Sequence, residues 1–273
     1  MATRLTLIQG FIIDMDGVLY RGKRPLAGAG EFIELLQAEG TPFLLLTNNS
    51  TRTPAQYVDK LRRMGIEVGE EAILTSGQAT AMYLERVAPG ARVYVIGEEG
   101  LQTEIARRGF AIVEEDVEFV VVGMDTRLTY DKLRIATLAI RRGAAFIGTN
   151  PDRTFPAEEG IVPGCGAILA ALEAATDVRP LVIGKPQRAI FDLALARMGT
   201  DRGATAVLGD RLDTDILGGK EAGLLTILIL SGVTSRRDLE GSSVVPDLVF
   251  EDLDQLRAAW REAGSFSFRE SAG

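Results

Sequence analysis

The chain has 273 residues, of which 46% are apolar and 25% are charged, so it is long enough for one large globular domain or for two. Its formal net charge is −8 and it has no strongly basic run, which argues against a nucleic-acid surface and means that an anionic substrate needs a local cationic site. The single cysteine and the lack of histidine exclude an intrachain disulfide, a cysteine-held zinc or iron–sulfur centre, and every Ser/His/Asp or Cys/His catalytic arrangement.

No apolar run approaches the roughly 18 residues of a membrane span, and the N-terminus lacks a basic segment followed by a long apolar stretch. We therefore expect a cytoplasmic protein that binds no membrane. Without imidazole, proton transfer falls to carboxylates, lysine or tyrosine. An aspartate nucleophile suits such a chain, because its carboxylate is ionised at neutral pH and needs no activating base.

Short apolar runs that end in Gly, Asn or Asp alternate with amphipathic stretches, which predicts an α/β protein with crossover helices between parallel strands. The predicted strands are 11–14, 42–47, 92–97, 118–124, 144–148, 180–184, 205–209 and 225–230. The predicted helices are 30–39, one that opens at Thr53-Pro54, 187–198, and a closing helix after Phe250. Since residues 88–179 contain their own strands and helices, we predict an inserted α/β domain there, within a discontinuous core of 1–87 and 180–273.

The first candidate site follows the strand at 11–14, where Asp14-Met15-Asp16-Gly17 ends an apolar run. Two carboxylates at the end of a buried strand are costly unless a cation meets them, and Gly17 frees the backbone to turn. The pattern favours a divalent cation bound by oxygen ligands and makes Asp14 a candidate nucleophile. The alternative is a strand end whose aspartates only cap the next turn.

Two further strands end in polar loops that precede helices. Thr47-Asn48-Asn49-Ser50 offers a hydroxyl, backbone N–H groups and a helix N-terminus to a phosphate, although such residues also serve simply as helix caps. Gly184-Lys185-Pro186 carries one of five lysines, against 25 arginines, at a strand end. This scarcity favours a functional cation over an ordinary surface charge, which is the alternative.

The fourth cluster is Gly209-Asp210-Arg211-Leu212-Asp213-Thr214-Asp215, again a strand end before a helix. A calcium loop that starts at Asp210 is excluded, because it would put Leu212 at a ligand position and Asp215 where the turn glycine belongs. Asp213 and Asp215 can instead be carboxylates at a helix start, favoured by the macrodipole, and this is the simpler explanation for Asp213.

All four clusters lie where parallel strands end, the edge at which ligands collect in such sheets. Together, as Asp/Asp, Thr/Asn, Lys and Asp/Asp, they resemble the four motifs of the haloacid dehalogenase superfamily, and the resemblance covers nearly the whole chain. It is greatest to the type IIA capped phosphatases, the NagD-like, p-nitrophenylphosphatase and pyridoxal phosphatase group. Thr149-Asn150-Pro151-Asp152 resembles the cap motif of that group. The resemblance implies a Rossmann-like parallel-sheet core with an inserted α/β cap domain.

The same resemblance implies a phosphomonoester hydrolase that acts on a small phosphorylated metabolite. Asp14 would attack phosphorus to form an aspartyl-phosphate, while Asp16 would protonate the departing alcohol and later deprotonate water.

Mg²⁺ would be held by Asp14, the Asp16 main-chain carbonyl and Asp210, with Asp215 one shell further out. Lys185 would add a second positive charge. The phosphoryl oxygens would be bound by Thr47, Asn48 and Asn49.

The resemblance further implies that the cap supplies specificity, through a loop that carries Asn150, Asp152 and Phe155, and that it forms a homodimer interface. Relatives that act on pyridoxal phosphate have a histidine where this chain has Phe155, which disfavours that substrate. The sequence does not choose among nucleoside monophosphates, sugar phosphates, phosphoglycolate and pyridoxal phosphate. A phosphotransferase or mutase of the same superfamily, a non-catalytic regulator that binds phosphometabolites, and a structural α/β scaffold are the alternatives.

Overall fold

The computed structural model of the chain describes residues 2–157 and 160–270. The described residues form two compact units. The described residues within 1–46, 58–73 and 191–273 form the first unit, and those within 47–57 and 74–190 form the second.

The helices are α1 Ala2–Leu5, α2 Ala29–Ala38, α3 Pro54–Arg62, α4 Ser76–Val87, α5 Glu99–Arg107, α6 Tyr130–Arg141, α7 Cys165–Thr176, α8 Arg188–Met198, α9 Leu217–Glu221, α10 Arg236–Glu240 and α11 Leu253–Glu270. The strands are β1 Gly10–Ile13, β2 Tyr20–Arg21, β3 Arg24–Pro25, β4 Phe43–Thr47, β5 Ile73–Thr75, β6 Arg92–Ile96, β7 Ala111–Ile112, β8 Phe119–Val122, β9 Ala145–Gly148, β10 Thr154–Ala157, β11 Gly160–Pro163, β12 Leu181–Val182, β13 Thr205–Gly209, β14 Leu225–Ile229 and β15 Leu248–Phe250.

The first unit is built on a six-stranded sheet in the order β15-β14-β13-β1-β4-β5. The pairings of β1 with β13 and β4, and of β14 with β13 and β15, are parallel. All four residues of β1 are buried, as expected of a central strand covered on both faces. Phe11 packs edge-on against Phe32 and Trp260, so helices α2 and α11 cover β1 from this side. Strand order reverses between β1 and β13, and in such sheets a ligand binds outside the carboxyl ends of the strands at that point.

The second unit contains a five-stranded parallel sheet in the order β12-β9-β8-β6-β7. Helices α6 and α7 pack on it through a core of buried side chains. That core comprises Tyr94, Ile96, Val120, Val122, Ala136, Ala139, Ile140, Ala144, Phe146, Cys165, Ile168, Leu169 and Leu172. Strands β10 and β11 form a separate antiparallel hairpin.

The predicted α/β fold is confirmed, and each of the eight predicted strands occurs within a few residues of its expected bounds. Short or edge strands were missed, among them β5, β15 and the β10–β11 hairpin. The compact second unit is wider than the predicted inserted segment 88–179, partly because β12 pairs with β9 in its sheet. The division into a core of 1–87 and 180–273 with a specificity cap stays a prediction.

Within the described residues, every helix is too short or too polar to cross a membrane.

Candidate active site

In the first unit, two acidic residues follow the adjacent central strands of the sheet. Asp14 comes directly after β1 and Asp210 directly after β13, and the Asp14 N–H continues the ladder by donating to the Leu208 carbonyl at 2.8 Å. Because Ile13 pairs with Leu208, the two strands end at nearly the same level. The parallel register therefore brings carboxylates that are far apart in sequence to one edge.

Asp14, Asp210 and Asp215 form a buried acidic cluster. One carboxylate oxygen of each lies within 4.8 Å of the other two, and Asp210 is fully buried. Asp215 comes from the π-helical turn Leu212–Ile216, and its Oδ2 accepts the Arg211 N–H at 3.1 Å. Three buried carboxylates at this spacing repel one another strongly unless a cation joins them.

Glycines shape the space around Asp210. A Cβ on Gly17, which has φ of 90°, would lie 2.2 Å from Asp210 Oδ2, and a Cβ on Gly232 would lie 1.9 Å from the same atom. The Val233 N–H donates to Asp210 Oδ2 at 2.6 Å. The carboxylate is therefore held in one orientation by backbone that comes close only because side chains are absent.

The loop that holds Asp210 is tied to the β2–β3 hairpin. Arg21 Nη2 donates to the carbonyls of Ser231 at 2.7 Å and Gly232 at 3.1 Å. Ser231 Oγ in turn donates to the Gly17 carbonyl at 3.1 Å. These contacts were not predicted, because their acceptors are main-chain carbonyls that any residue type provides.

The donor set fits a hard divalent cation such as Mg²⁺, which prefers carboxylate and carbonyl oxygens. Asp14 and Asp210 are predicted ligands, and Asp215 is predicted one shell further out; the structure brings all three together, and which of them contacts the cation stays a prediction. Asp16 is half-buried, and it forms an isolated β-bridge with Tyr20. Its role as general acid and the coordination by its carbonyl stay predictions.

In the second unit, the structure brings four predicted residues into one hydrogen-bonded cluster. Asn48 Oδ1 accepts the Lys185 N–H at 2.8 Å, and Asn48 Nδ2 donates to the Lys185 carbonyl at 3.0 Å. Nδ2 also lies 3.2 Å from both carboxylate oxygens of Asp152. Asn150 Nδ2 donates to the Asn48 carbonyl at 2.7 Å. Lys185 is only 3% exposed, so its ammonium group is not an ordinary surface charge.

The remaining predicted residues lie on neighbouring segments of the chain. Thr47 ends β4, and its Oγ1 accepts the Asn49 N–H at 3.1 Å. Asn49 Oδ1 accepts from the N–H and the hydroxyl of Thr51 at 3.0 and 2.7 Å, a local Asx turn. Phe155 belongs to strand β10, where it pairs with Val162, and not to the loop after β9 that holds Asn150 and Asp152. The functions assigned to these residues stay predictions.

Cys165 is unsuited to act as a nucleophile. Burial raises the pKa of its thiol to about 11, so the thiolate is scarce at neutral pH. Its Sγ lies 3.6 Å from Thr149 Oγ1 inside the second unit.

Known proteins resemble this chain in sequence and in fold. Residues 11–111 match the haloacid dehalogenase-like hydrolase family, and residues 182–256 match the HAD-hydrolase-like family. An acid sugar phosphatase of Staphylococcus aureus is 43% identical over 251 residues, which cover 92% of this chain and 97% of that protein.

Two solved structures have the same fold over nearly the whole chain. The crystal structure of 4-nitrophenylphosphatase from Thermotoga maritima superposes with a TM-score of 0.89 at 39% identity, over 93% of this chain and 97% of that one. NagD from E. coli K-12 superposes with a TM-score of 0.84 at 35% identity, over 90% of this chain and 97% of that one.

The fold and these matches define a haloacid dehalogenase-like hydrolase, and the chain belongs to the NagD-like type IIA branch of that superfamily. It is a phosphatase, like the acid sugar phosphatase and the 4-nitrophenylphosphatase among its relatives. The resemblance predicted from the four motifs and the predicted enzyme class are both confirmed.

Proposed function

We propose that the protein is a Mg²⁺-dependent phosphomonoesterase that hydrolyses a small phosphorylated metabolite through an aspartyl-phosphate on Asp14. The observation that carries the proposal is the buried cluster of Asp14, Asp210 and Asp215, whose oxygens lie within 4.8 Å of one another. A bound cation would offset the repulsion within such a cluster, and phosphoryl transfer is a reaction that a cation at a carboxylate accelerates.

In the proposed reaction, a carboxylate oxygen of Asp14 attacks phosphorus and the bond from phosphorus to the ester oxygen breaks. Asp16 gives its proton to the departing alkoxide, which leaves as the alcohol. Asp16 then takes a proton from water as the water oxygen attacks phosphorus, so that inorganic phosphate leaves and the Asp14 carboxylate is restored.

The approach of a carboxylate to a phosphate dianion is repulsive, so the reaction needs positive charge. Mg²⁺, held by Asp14, Asp210 and Asp215 or the Asp16 carbonyl, would supply charge neutralisation at the phosphate oxygens. We expect the ammonium group of Lys185 to supply a second positive charge that offsets the charge of the phosphate. Thr47, with the main-chain N–H of Asn48, is our candidate for binding the phosphoryl oxygens.

For the substrate class, we favour phosphate esters of sugars. The Staphylococcus aureus relative is an acid sugar phosphatase at 43% identity, and Asp152 offers a carboxylate that can accept hydrogen bonds from sugar hydroxyls. Phe155, in place of the histidine found in relatives that act on pyridoxal phosphate, argues against that substrate. Nucleoside monophosphates and phosphoglycolate belong in the same comparison.

The test is release of p-nitrophenol from p-nitrophenyl phosphate, with and without Mg²⁺, by the wild type, Asp210→Ala and a matched control, Asp213→Asn. Asp213 is an exposed neighbour in the same turn, paired with Arg211. We expect turnover that requires Mg²⁺, is abolished in Asp210→Ala, and persists in Asp213→Asn. Full activity in chelator, or in Asp210→Ala, would contradict the proposal. A panel of phosphate esters then ranks the substrates by kcat/KM.

A further inference from the structure

The side chain of Asn48 makes contacts unlike those expected of a phosphate ligand. Its Oδ1 accepts the main-chain N–H of Lys185 at 2.8 Å, and its Nδ2 donates to the main-chain carbonyl of the same residue at 3.0 Å. Only one orientation of the amide satisfies both bonds, because the main-chain N–H must donate and the carbonyl must accept. One side chain therefore fixes both polar groups of the backbone at residue 185.

The second hydrogen of the Asn48 amide is also used. Nδ2 lies 3.2 Å from Asp152 Oδ1 and 3.2 Å from Oδ2, so this hydrogen points at the carboxylate. A carboxamide has two N–H donors, and here one serves the Lys185 carbonyl and the other serves Asp152. The amide oxygen is an acceptor and does not attract an anion. The side chain thus has no donor left for a phosphoryl oxygen.

The surroundings keep the Asn48 amide in place. The main-chain carbonyl of Asn48 accepts from Asn150 Nδ2 at 2.7 Å and from Ser76 Oγ at 2.5 Å. A Cβ on Gly184 would lie 2.6 Å from Asn48 Oδ1, so glycine is what lets this strand end approach the amide so closely. Asn48 is 7% exposed, and in a buried setting each of these bonds is costly to lose.

We propose that the side chain of Asn48 has a positioning role: it serves phosphoryl transfer by fixing the Lys185 backbone and the Asp152 carboxylate in one network, and it does not itself bind the phosphate. The inference rests on the proposed function, since it gives Asn48 its effect through the charge of Lys185. It narrows the expectation that Asn48 binds phosphoryl oxygens to the main chain of that residue.

A double-mutant cycle tests the proposal, because Lys185→Ala removes the ammonium group and leaves the main-chain atoms that Asn48 bonds. The four proteins are the wild type, Asn48→Ala, Lys185→Ala and the double variant, and the probe is inorganic phosphate, titrated calorimetrically in the presence of Mg²⁺. We expect Asn48→Ala to weaken phosphate binding roughly tenfold, the effect of losing a buried polar contact. In the Lys185→Ala background the same substitution should change affinity by less than about twofold.

A direct phosphate contact would instead cost the same factor in both backgrounds, and that additivity would overturn the proposal, as would unchanged affinity in Asn48→Ala. If Lys185→Ala itself binds phosphate as tightly as the wild type, the proposed role of Lys185 fails, and the inference fails with it. If Lys185→Ala is weakened but the effects add, the proposed function stands and only the inference fails.

Asn48→Asp repeats the cycle if the alanine variant does not fold. Aspartate keeps the acceptor for the Lys185 N–H but places an oxygen against the Lys185 carbonyl and the Asp152 carboxylate. We expect it to weaken phosphate binding at least as much as alanine does. Pairing it with Asp152→Asn should restore part of the loss, because the amide introduced at position 152 can donate to the carboxylate introduced at position 48. Failure of that partial rescue would contradict the network.

Discussion

The glycine at position 17 allows a quantitative test of how Asp210 is held. Gly17 has φ of 90°, and a Cβ there would lie 2.2 Å from Asp210 Oδ2, about 1.2 Å short of an ordinary contact of 3.4 Å. Gly17→Ala must therefore strain the backbone and also displace the carboxylate or the turn. Gly22 is the matched control, because its φ of 61° is also positive but nothing lies within 4 Å of the place that a Cβ would take.

The conformational part of the cost is shared by the two variants. An alanine at positive φ costs about 1–2 kcal/mol of folding free energy, which urea denaturation of Gly22→Ala should show alone. Gly17→Ala adds the collision with Asp210. Since a displaced carboxylate is a poorer metal ligand, we expect a loss of roughly 10- to 100-fold in apparent Mg²⁺ affinity, in line with other changes that misorient ligands.

The assay is the Mg²⁺ dependence of p-nitrophenyl phosphate hydrolysis, together with calorimetric titration of Mg²⁺ into each variant. Gly22→Ala should bind Mg²⁺ as the wild type does. If Gly17→Ala loses no more stability than Gly22→Ala and keeps wild-type Mg²⁺ affinity, the reasoning that glycine makes room for Asp210 is wrong.

Two other predictions concern groups away from the acidic cluster. Burial raises the pKa of Asp247, but hydrogen bonds from Thr226 and the charges of Lys220 and Arg4 lower it below its ordinary 3.8. Asp247→Ala should therefore cost about 1–3 kcal/mol of unfolding free energy at neutral pH. Because the pKa of Asp247 is lowered in the folded protein, the stabilisation by its carboxylate is present above pH 3.8 and is lost as the pH falls through the folded pKa. The prediction would be contradicted if the difference in unfolding free energy between the wild type and Asp247→Ala, measured by urea denaturation, stayed constant into that acid range. The buried Cys165 thiol, with its pKa raised to about 11, should resist iodoacetamide at pH 8 in the folded protein and react once urea unfolds it, as followed by mass spectrometry; rapid labelling without denaturant would contradict its burial.

The central strands and the acidic cluster could be predicted because their sequence signals are strong. Strand β1 is an apolar run directly followed by Asp14, and β13 is another directly followed by Asp210. Parallel pairing puts such ends on one edge of a sheet, so two chemically conspicuous residues predict one site. The place of Asp215 beside these two carboxylates depends on the π-helical turn, which the sequence pattern does not reveal.

Elements held by backbone chemistry could not be predicted in the same way. Strand β10 contains Pro156, which usually argues against a strand, so the sequence predicts a loop where the structure has a strand that holds Phe155. The N–H of Val233 reaches Asp210, and the Asn48 amide reaches the backbone of Lys185. Neither contact depends on the residue type of the main-chain partner, and therefore neither leaves a pattern in the sequence.

The claim that Asp14 accepts the phosphoryl group is tested most directly by acid-quenching the enzyme during turnover of p-nitrophenyl phosphate and locating the phosphoryl group by mass spectrometry. The account predicts one phosphoryl group on the peptide that carries Asp14, and neither the modification nor turnover in Asp14→Asn. A phosphoryl group on another residue, or steady hydrolysis by Asp14→Asn, would contradict it.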